Sequence, residues 1–305
     1  MKVKHVLGVI ALLLVTIGIL TFFSSVNQGA KSSGPQFLFD ITGWDAPDHT
    51  LREPTFAVAD QDGDIYVADS GNRRVRVFNR KGRFRFEFGG PDSKKPLLFP
   101  YGIGIADGKV IVADTGAGAL YEFNSEGDYV KTWVEPKTGV QPAGVFVAPE
   151  QKVYVTDMAG RQVLVFSKEG KMLQKISSKQ VPLGSPQGLS VNADGTVWVA
   201  DGGNYNIKLL KPDGELVTIF DGGPARALTM AKGLAVDDKG RIYVADTLSN
   251  TVRGFDKAGG DLFTFGPKGE KQSSLQLPVG LSIDSDGRIY VADQGNNKIQ
   301  VWGWK

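Results

Sequence analysis

One phrase recurs six times along this sequence and constrains its fold more than any other feature. In the last copy, residues 280–283 are a short apolar run, 284–287 have turn chemistry, and 288–292 are rich in β-branched and aromatic residues. The phrase therefore predicts two antiparallel strands joined by a tight turn. Every copy ends on an aspartate, and the spacings are 45, 43, 44, 45 and 47 residues: Asp69, Asp114, Asp157, Asp201, Asp246 and Asp293.

Each copy continues with two more predicted strands. An apolar position six residues after the aspartate opens the third strand, a glycine turn follows, and a fourth strand such as 84–88 closes the unit. Four antiparallel strands every ~40–45 residues is the period of a propeller blade. The sixth unit ends without a fourth strand, but residues 36–41 resemble the other fourth strands. The sequence thus predicts an all-β, six-bladed β-propeller whose ring is closed by the N-terminal strand joining the last blade.

The repeated pattern carries a family resemblance. A proline, one free position and a glycine precede the first strand, and an asparagine follows the aspartate by three residues, as in Pro186, Gly188 and Asn204. This pattern resembles the NHL repeat over about residues 36–305. The resemblance implies an NHL-type propeller in which the free positions lie near one mouth of the central channel. They are Thr55, Tyr101, Ala143, Gln187, Lys232 and Val279.

The polar and aromatic members of that set are the candidate ligand-binding residues: Thr55, Tyr101, Gln187 and Lys232. A mixed polar and aromatic mouth is suited to a small molecule or a peptide end. The alternative interpretation is that all six positions are simply exposed loop residues.

The N-terminus predicts a membrane segment. Lys2 and Lys4 precede an apolar run over residues 6–23 that holds no charge. A helix of that length reaches roughly 27 Å, enough for a bilayer core. We therefore expect residues 1–34 to be a transmembrane signal-anchor with a short linker, and 35–305 to be the propeller. The positive flank stays cytoplasmic, which places the propeller outside, in the periplasm or the extracellular space. A cleaved signal peptide is the alternative and would give an exported soluble protein.

The six aspartates are predicted to be structural. A carboxylate that always ends the second strand can accept hydrogen bonds from backbone N–H groups of the following turn. A ring of catalytic or metal-binding carboxylates is the alternative. The run 60–64 resembles a calcium loop, but the downstream glutamate of such a loop is missing, so hairpin chemistry is expected instead.

A cluster of arginines in the first blade is the candidate surface for an anionic partner: Arg73, Arg74, Arg76, Arg83 and Arg85. Alternate residues of a strand share one face, so Arg74 and Arg76 are expected together, as are Arg83 and Arg85. Lipid head groups, an acidic protein or a polyanion would fit such a surface. A solvated sheet face is the alternative.

The sequence excludes several chemistries. Cysteine is absent, so thiolate catalysis and cysteine-ligated zinc are impossible, and only His5 and His49 are available for a histidine zinc site. Lactonase-like propellers use a glutamate, an asparagine and an aspartate at the mouth. Here Glu53 lies beside the first mouth position, but Lys232 stands where a carboxylate is expected. No catalytic residue, metal or cofactor is predicted.

The predicted function is a membrane-anchored, extracytoplasmic binding or scaffold propeller that mediates protein–protein or ligand interactions. Its expected partner is another envelope or membrane protein. A metal-dependent lactonase- or hydrolase-like enzyme with its site at the central channel is the alternative. A third hypothesis is polyanion or RNA binding through the first blade, although nucleic acid is disfavoured by export and by a net charge of only +2.

Overall fold

A computed structural model describes residues 34–46, 50–223, 226–267 and 273–304 of the chain. The predicted membrane segment at 6–23, and with it His5, lies outside the described residues, as does His49. Within the described part of the chain, no helix is both long and apolar enough to cross a membrane.

The described residues form six four-stranded antiparallel sheets, which are the blades of a propeller. The first blade holds β2 (Phe56–Ala59), β3 (Ile65–Asp69), β4 (Arg74–Phe78) and β5 (Phe84–Phe88). The second holds β6 (Pro100–Ala106), β7 (Lys109–Asp114), β8 (Ala119–Asn124) and β9 (Tyr129–Val134). The third holds β10 (Pro142–Val147), β11 (Val153–Asp157), β12 (Gln162–Phe166) and β13 (Met172–Ile176).

The remaining three blades repeat this order. The fourth holds β14 (Pro186–Val191), β15 (Val197–Asp201), β16 (Asn206–Leu210) and β17 (Leu216–Phe220). The fifth holds β18 (Ala231–Val236), β19 (Ile242–Asp246), β20 (Thr251–Phe255) and β21 (Asp261–Phe265). The sixth holds β22 (Pro278–Ile283), β23 (Ile289–Asp293), β24 (Lys298–Gly303) and β1 (Gln36–Ile41). Short 3-10 helices follow four of the second strands: Ser70–Asn72, Gly202–Asn204, Thr247–Ser249 and Gln294–Asn296.

The N-terminal strand closes the ring, as the sequence predicts. β1 lies antiparallel to β24, with Gln36 opposite Gly303 and Ile41 opposite Ile299. Closure of this kind leaves no blade interface open to solvent.

Neighbouring blades pack face to face, which explains why strands in the middle of a blade are apolar on both sides. All five residues of β3 and all five of β4 are buried, whereas the outer strand β5 alternates between exposed and covered positions. One hydrophobic cluster joins Tyr66 and Val75 of the first blade to Ile103 and Tyr121 of the second. Burying side chains of this size is worth roughly 1.5–3 kcal/mol each, so the blade interfaces supply most of the core.

The two ends of the ring differ in the connections they carry. We call one end the loop face: there the second strand of each blade turns into the third, and there the chain enters each inner strand. We call the other end the hairpin face: it carries the turns that join first to second strands and third to fourth strands. The inner strands converge so closely that a Cβ on Gly102 would lie 2.2 Å from the carbonyl oxygen of Ala143 in the next blade.

Candidate functional site

The six repeated aspartates organise the loop face from inside. Each side chain is buried, and each accepts a hydrogen bond from a backbone N–H in the segment that leads into its own blade. The donors are Arg52 to Asp69 at 2.7 Å, Leu98 and Phe99 to Asp114 at 2.8 Å, Gln141 to Asp157 at 3.0 Å, Gly184 and Ser185 to Asp201 at 2.9 Å, Thr229 and Met230 to Asp246 at 2.9 Å, and Gln276 to Asp293 at 2.7 Å.

This geometry corrects the expected source of the donors. The following turn supplies a backbone donor to Asp114 from Ala117 and to Asp157 from Gly160, but the preceding segment donates to every aspartate. The carboxylates therefore fix the entry into each inner strand. Their burial inside the blades gives them a structural role.

Several of the aspartates also meet buried polar or cationic side chains. Lys208 Nζ lies 2.6 Å from an oxygen of Asp201, and neither side chain is exposed. Asp293 accepts hydrogen bonds from the side chains of Asn296 at 2.8 Å and Gln300 at 2.9 Å. Burial raises the pKa of Asp293, and these hydrogen bonds act in the opposite direction.

Two of the five candidate arginines belong to this buried system. Arg74 Nε lies 2.9 Å from Asp69, and Arg76 Nε lies 3.1 Å from Glu87, with both arginine side chains inside the blade. The expectation that they share a solvent-facing surface is wrong, because the blades cover both faces of β4. Arg73, Arg83 and Arg85 are exposed, and Arg85 is ion-paired with Asp64.

At the channel mouth, one hydrogen bond bridges two blades that are not neighbours. The hydroxyl of Tyr101 donates to Oε1 of Gln187 at 2.5 Å, reaching from the second blade to the fourth past the small side chain of Ala143. Burial raises the pKa of Tyr101, which keeps the hydroxyl a neutral donor. Thr55 is fully buried and donates to the backbone oxygen of Tyr101 at 2.9 Å, so it is not open to a ligand.

Lys232 is the cationic member of the mouth. Its side chain is half-buried, and in the part of the chain that the structure describes it has no ion-pair or hydrogen-bond partner. Burial lowers its pKa, since the charged ammonium loses solvation without gaining a counter-charge. An anion at the mouth would supply that counter-charge.

Below the mouth, the channel itself is apolar. A cavity of about 160 Å³ is lined by the inner strands of all six blades, including Val58, Ile103, Val145, Leu234 and Ile283. Across the described residues, no group of three or more His, Cys, Asp or Glu side chains is placed to hold a metal ion.

The loop face exposes large apolar side chains around the mouth. Leu98 is 51 % exposed, Tyr205 55 %, Leu248 55 % and Leu277 39 %. Backbone bonds fix their location: the N–H of Leu98 reaches Asp114, and that of Leu277 reaches Oδ1 of Asn250 at 2.7 Å. The hairpin-face turns carry no exposed side chain of this kind among the described residues, and other such residues lie mainly on outer strands.

The charges of the two faces differ as well. On the loop face, Arg52, Arg73 and Arg161 are exposed, and none of the three side chains meets a carboxylate in the described structure. On the hairpin face, the turns between first and second strands carry Lys152, Lys239, Arg241 and Arg288, but these cations are outnumbered by acidic residues that escape burial: Asp60, Asp62, Asp64, Asp107, Glu150, Asp194, Asp237, Asp238, Asp284 and Asp286. Some cations there are paired, as Arg241 is with Asp237 at 2.6 Å and Arg80 with Asp286, whereas Lys81, Lys168 and Lys171 are exposed and form no ion pair among the described residues.

The sequence predicted positions near the mouth but not the other residues of the loop face. The sequence does hold a signal for it, at the fourth position after each aspartate. That position has a left-handed backbone in all six blades, with φ between 52° and 62°, and its residue changes from blade to blade: Arg73, Gly118, Arg161, Tyr205, Asn250 and Asn297. Arginine and tyrosine are unusual at a positive φ, which favours glycine or asparagine.

The comparisons with known proteins agree with this architecture. The NHL repeat model matches residues 51–78, 183–208, 228–255 and 275–302. The chain therefore contains NHL repeats, and it forms a six-bladed β-propeller from them.

Among curated proteins, the human E3 ubiquitin-protein ligase TRIM32 is 26 % identical over 267 residues, which cover 77 % of this chain and 38 % of the relative. The Protein brain tumor of Drosophila melanogaster is 28 % identical over 130 residues, covering 41 % and 12 %. Human NHL repeat-containing protein 3 is 27 % identical over 160 residues, covering 46 % and 45 %. The chain thus spans less than half the length of each of these three relatives.

Solved structures show the same fold. A streptogramin B lyase structure superposes with a TM-score of 0.61 at 17 % identity, covering 85 % of this chain and 81 % of the other. A chain of a nidogen/laminin complex gives a TM-score of 0.62 at 20 % identity, covering 76 % and 85 %. At such identities the likeness concerns the fold alone.

Proposed function

We propose that this chain is a binding propeller that docks a protein partner on its loop face. The observation that carries the proposal is the set of exposed apolar residues around the mouth, Leu98, Tyr205, Leu248 and Leu277, which has no counterpart in the hairpin-face turns described. Leucine and tyrosine side chains left in solvent on a rigid scaffold are typical of an interaction surface.

The scaffold beneath these residues is suited to docking. The buried aspartates fix the segments that carry Leu98 and the residues beside Leu277, so the apolar side chains are held without a large ordering cost on binding. The similarity to NHL-repeat relatives, E3 ubiquitin-protein ligases among them, also supports a protein partner.

Site-specific photo-crosslinking tests the docking face. A photoreactive amino acid would replace Tyr205 or Leu248, and matched controls would carry it at Leu173 or Val217, which are exposed on outer strands. We expect the same partner to be cross-linked from both loop-face positions and from neither control. Leu98→Asp or Leu277→Asp should remove the cross-link. Equal cross-linking from the outer-strand positions would refute the loop face as the docking surface.

We further propose that residues 6–23 anchor the propeller to a membrane, with the propeller on the extracytoplasmic side. The apolar run and its positive flank support this. The full chain should stay with membranes through an alkaline wash, whereas a chain that starts at Gly34 should be released. Protease added to spheroplasts, whose cytoplasmic membrane is sealed but whose outer layers are open, should digest the anchored propeller. An N-terminus found near Lys31 by mass spectrometry would instead establish a cleaved signal and an exported soluble protein.

A further inference from the structure

We propose that the partner docked on the loop face is an acidic protein segment, in which aspartate or glutamate residues alternate with apolar side chains. This inference rests on the proposed function, and it names the chemistry of the partner for the same surface.

The loop face carries positive charge that no carboxylate of the described structure compensates. Arg52 and Arg73 lie on the first blade, Arg161 on the third and Lys232 on the fifth, and the described residues offer no carboxylate to any of these side chains. The repeated aspartates of this end are buried, and their oxygens already accept hydrogen bonds inside the blades. Glu53, Asp92, Glu135 and Asp221 are exposed acids of the segments at the same end, and in the described structure none of them forms an ion pair with these four cations.

The hairpin face differs from the loop face in its charge. At that end, acidic residues outnumber basic ones in the turns between first and second strands, and the cations Arg80 and Arg241 are already engaged by carboxylates. An acidic segment is therefore less favoured there than at the loop face. Complementary potentials of this kind steer an encounter and fix its orientation more than they add raw affinity.

The apolar part of the surface also bears on the chemistry of the partner. Leu98, Leu248 and Leu277 are aliphatic and surround the mouth together with Tyr205. Aliphatic side chains complement apolar residues of a protein, whereas surfaces for single-stranded nucleic acid rely on aromatic faces on which bases stack. Arginine pairs with carboxylates through two parallel hydrogen bonds, which adds geometric specificity. A protein segment that carries acidic and apolar residues can pair with the cations and also contact the exposed leucine and tyrosine side chains.

The test is peptide selection on the full-length chain in detergent. A library of random 16-residue peptides displayed on phage would be panned against it, and one selected peptide would be measured by fluorescence anisotropy. We expect enrichment of aspartate and glutamate beside leucine, isoleucine and aromatic residues. The variant Arg52→Gln, Arg73→Asn and Arg161→Asn should weaken that peptide by about tenfold, as for three ion pairs at an interface rim. Asparagine is compatible with the left-handed backbone, as Asn250 and Asn297 show.

A control variant with the same net charge removes three exposed lysines of the hairpin face: Lys81→Gln, Lys168→Gln and Lys171→Gln. Its affinity for the selected peptide should stay within about twofold, since these charges are far from the peptide. Thermal melting of both variants would show that each is folded. Peptides without acidic enrichment, or equal weakening by the two variants, would overturn the inference.

Further outcomes separate this inference from the proposed function. If Leu248→Asp abolishes peptide binding but the arginine variant does not, the docking surface stands and the acidic partner is rejected. If neither change matters, both proposals fail. A 20-nucleotide single-stranded RNA used as the probe provides the last comparison: RNA binding that depends on these arginines, with no acidic peptide selected, would also reject the acidic protein segment.

Discussion

The loop face and the hairpin face are built from the same repeated unit, yet aspartate behaves differently at each. On the loop face, Asp69 and its five counterparts are buried and bonded to backbone N–H groups. On the hairpin face, residues such as Asp62 and Asp286 sit in solvated turns. The buried set adds no surface carboxylate beside the loop-face cations, whereas the solvated set adds to the acidic surface of the opposite end.

This difference shows how an almost neutral chain acquires two unlike surfaces. On the loop face, burial removes the negative charge of the repeated aspartates from the surface. The two faces can therefore differ in charge without differing in their content of aspartate. The end that hides its carboxylates is also the end whose turns present leucine and tyrosine. The charge and the exposed apolar residues of the loop face therefore accompany the hydrogen bonds by which each buried aspartate holds the segment that enters its own blade.

The largest loss of stability is expected from a charge reversal among the buried groups around Asp69. Arg76→Glu would place a third carboxylate beside Asp69 and Glu87 in a site with no exposure, and should lower the free energy of unfolding by at least about 5 kcal/mol. Arg83→Glu, on an exposed turn, should change it by no more than about 0.5 kcal/mol. Urea unfolding of the two variants measures the contrast, and equal midpoints would contradict the buried network.

The next effect comes from neutralising one aspartate at each end. Asp201→Asn leaves Lys208 buried without its counter-charge, which should cost about 3–5 kcal/mol. Asp213→Asn removes only the exposed pair with Lys179 and should cost less than about 1 kcal/mol. Thermal or urea unfolding would compare them. A similar loss from both would show that the two sets of aspartates are not distinct.

A smaller effect is expected from adding one methyl group at each end. In Gly102→Ala the new Cβ would meet the backbone oxygen of Ala143 at 2.2 Å, so two inner strands must separate at a cost of about 1–3 kcal/mol. Gly287→Ala meets no atom within 4 Å, but its φ of 76° disfavours alanine by about 1 kcal/mol. Unfolding midpoints should fall further for the first variant. The reverse order would mean that the inner strands can move apart freely.

The smallest effect concerns the pH dependence of Lys232. Burial lowers its pKa, so its contribution to stability is fully present above the unfolded value of ~10.4 and is lost as pH falls through the folded-state pKa. Lys232→Met removes this dependence. The stability of the variant relative to the wild type should therefore rise as pH is lowered from about 10.5 to 7, with the change confined to the interval below the unfolded pKa. A flat or falling difference in urea titrations would contradict the desolvation of this amine.

The six-bladed architecture could be predicted from the sequence because the same four-strand pattern occurs in each repeated unit. The strand at 36–41 and the six aspartates follow from comparing units, whereas the place of the free positions near the mouth was implied by the resemblance to the NHL repeat. The burial of Arg74 and Arg76 could not be predicted in this way. A period of two indicates which residues of a strand share a face, but it does not indicate whether a neighbouring blade covers that face. The exposed apolar residues of the loop face were not predicted either. Tyr205 and Leu248 lie at positions where the residue type is not repeated from blade to blade, so comparing units does not single them out.

Closure of the ring also sets the timing of folding. Among the strands of the propeller, β1 is made first and β24 last, and each is the other's partner in the sixth blade. At ~5–20 residues per second, translation leaves the first strand without its mate on the order of tens of seconds. During that interval the nascent chain is an open stack with an unsatisfied edge at each end, which other strands can capture. Ring closure therefore requires the first and last strands of the propeller to meet, and any factor that occupies residues 36–41 early would delay the complete ring rather than any single blade.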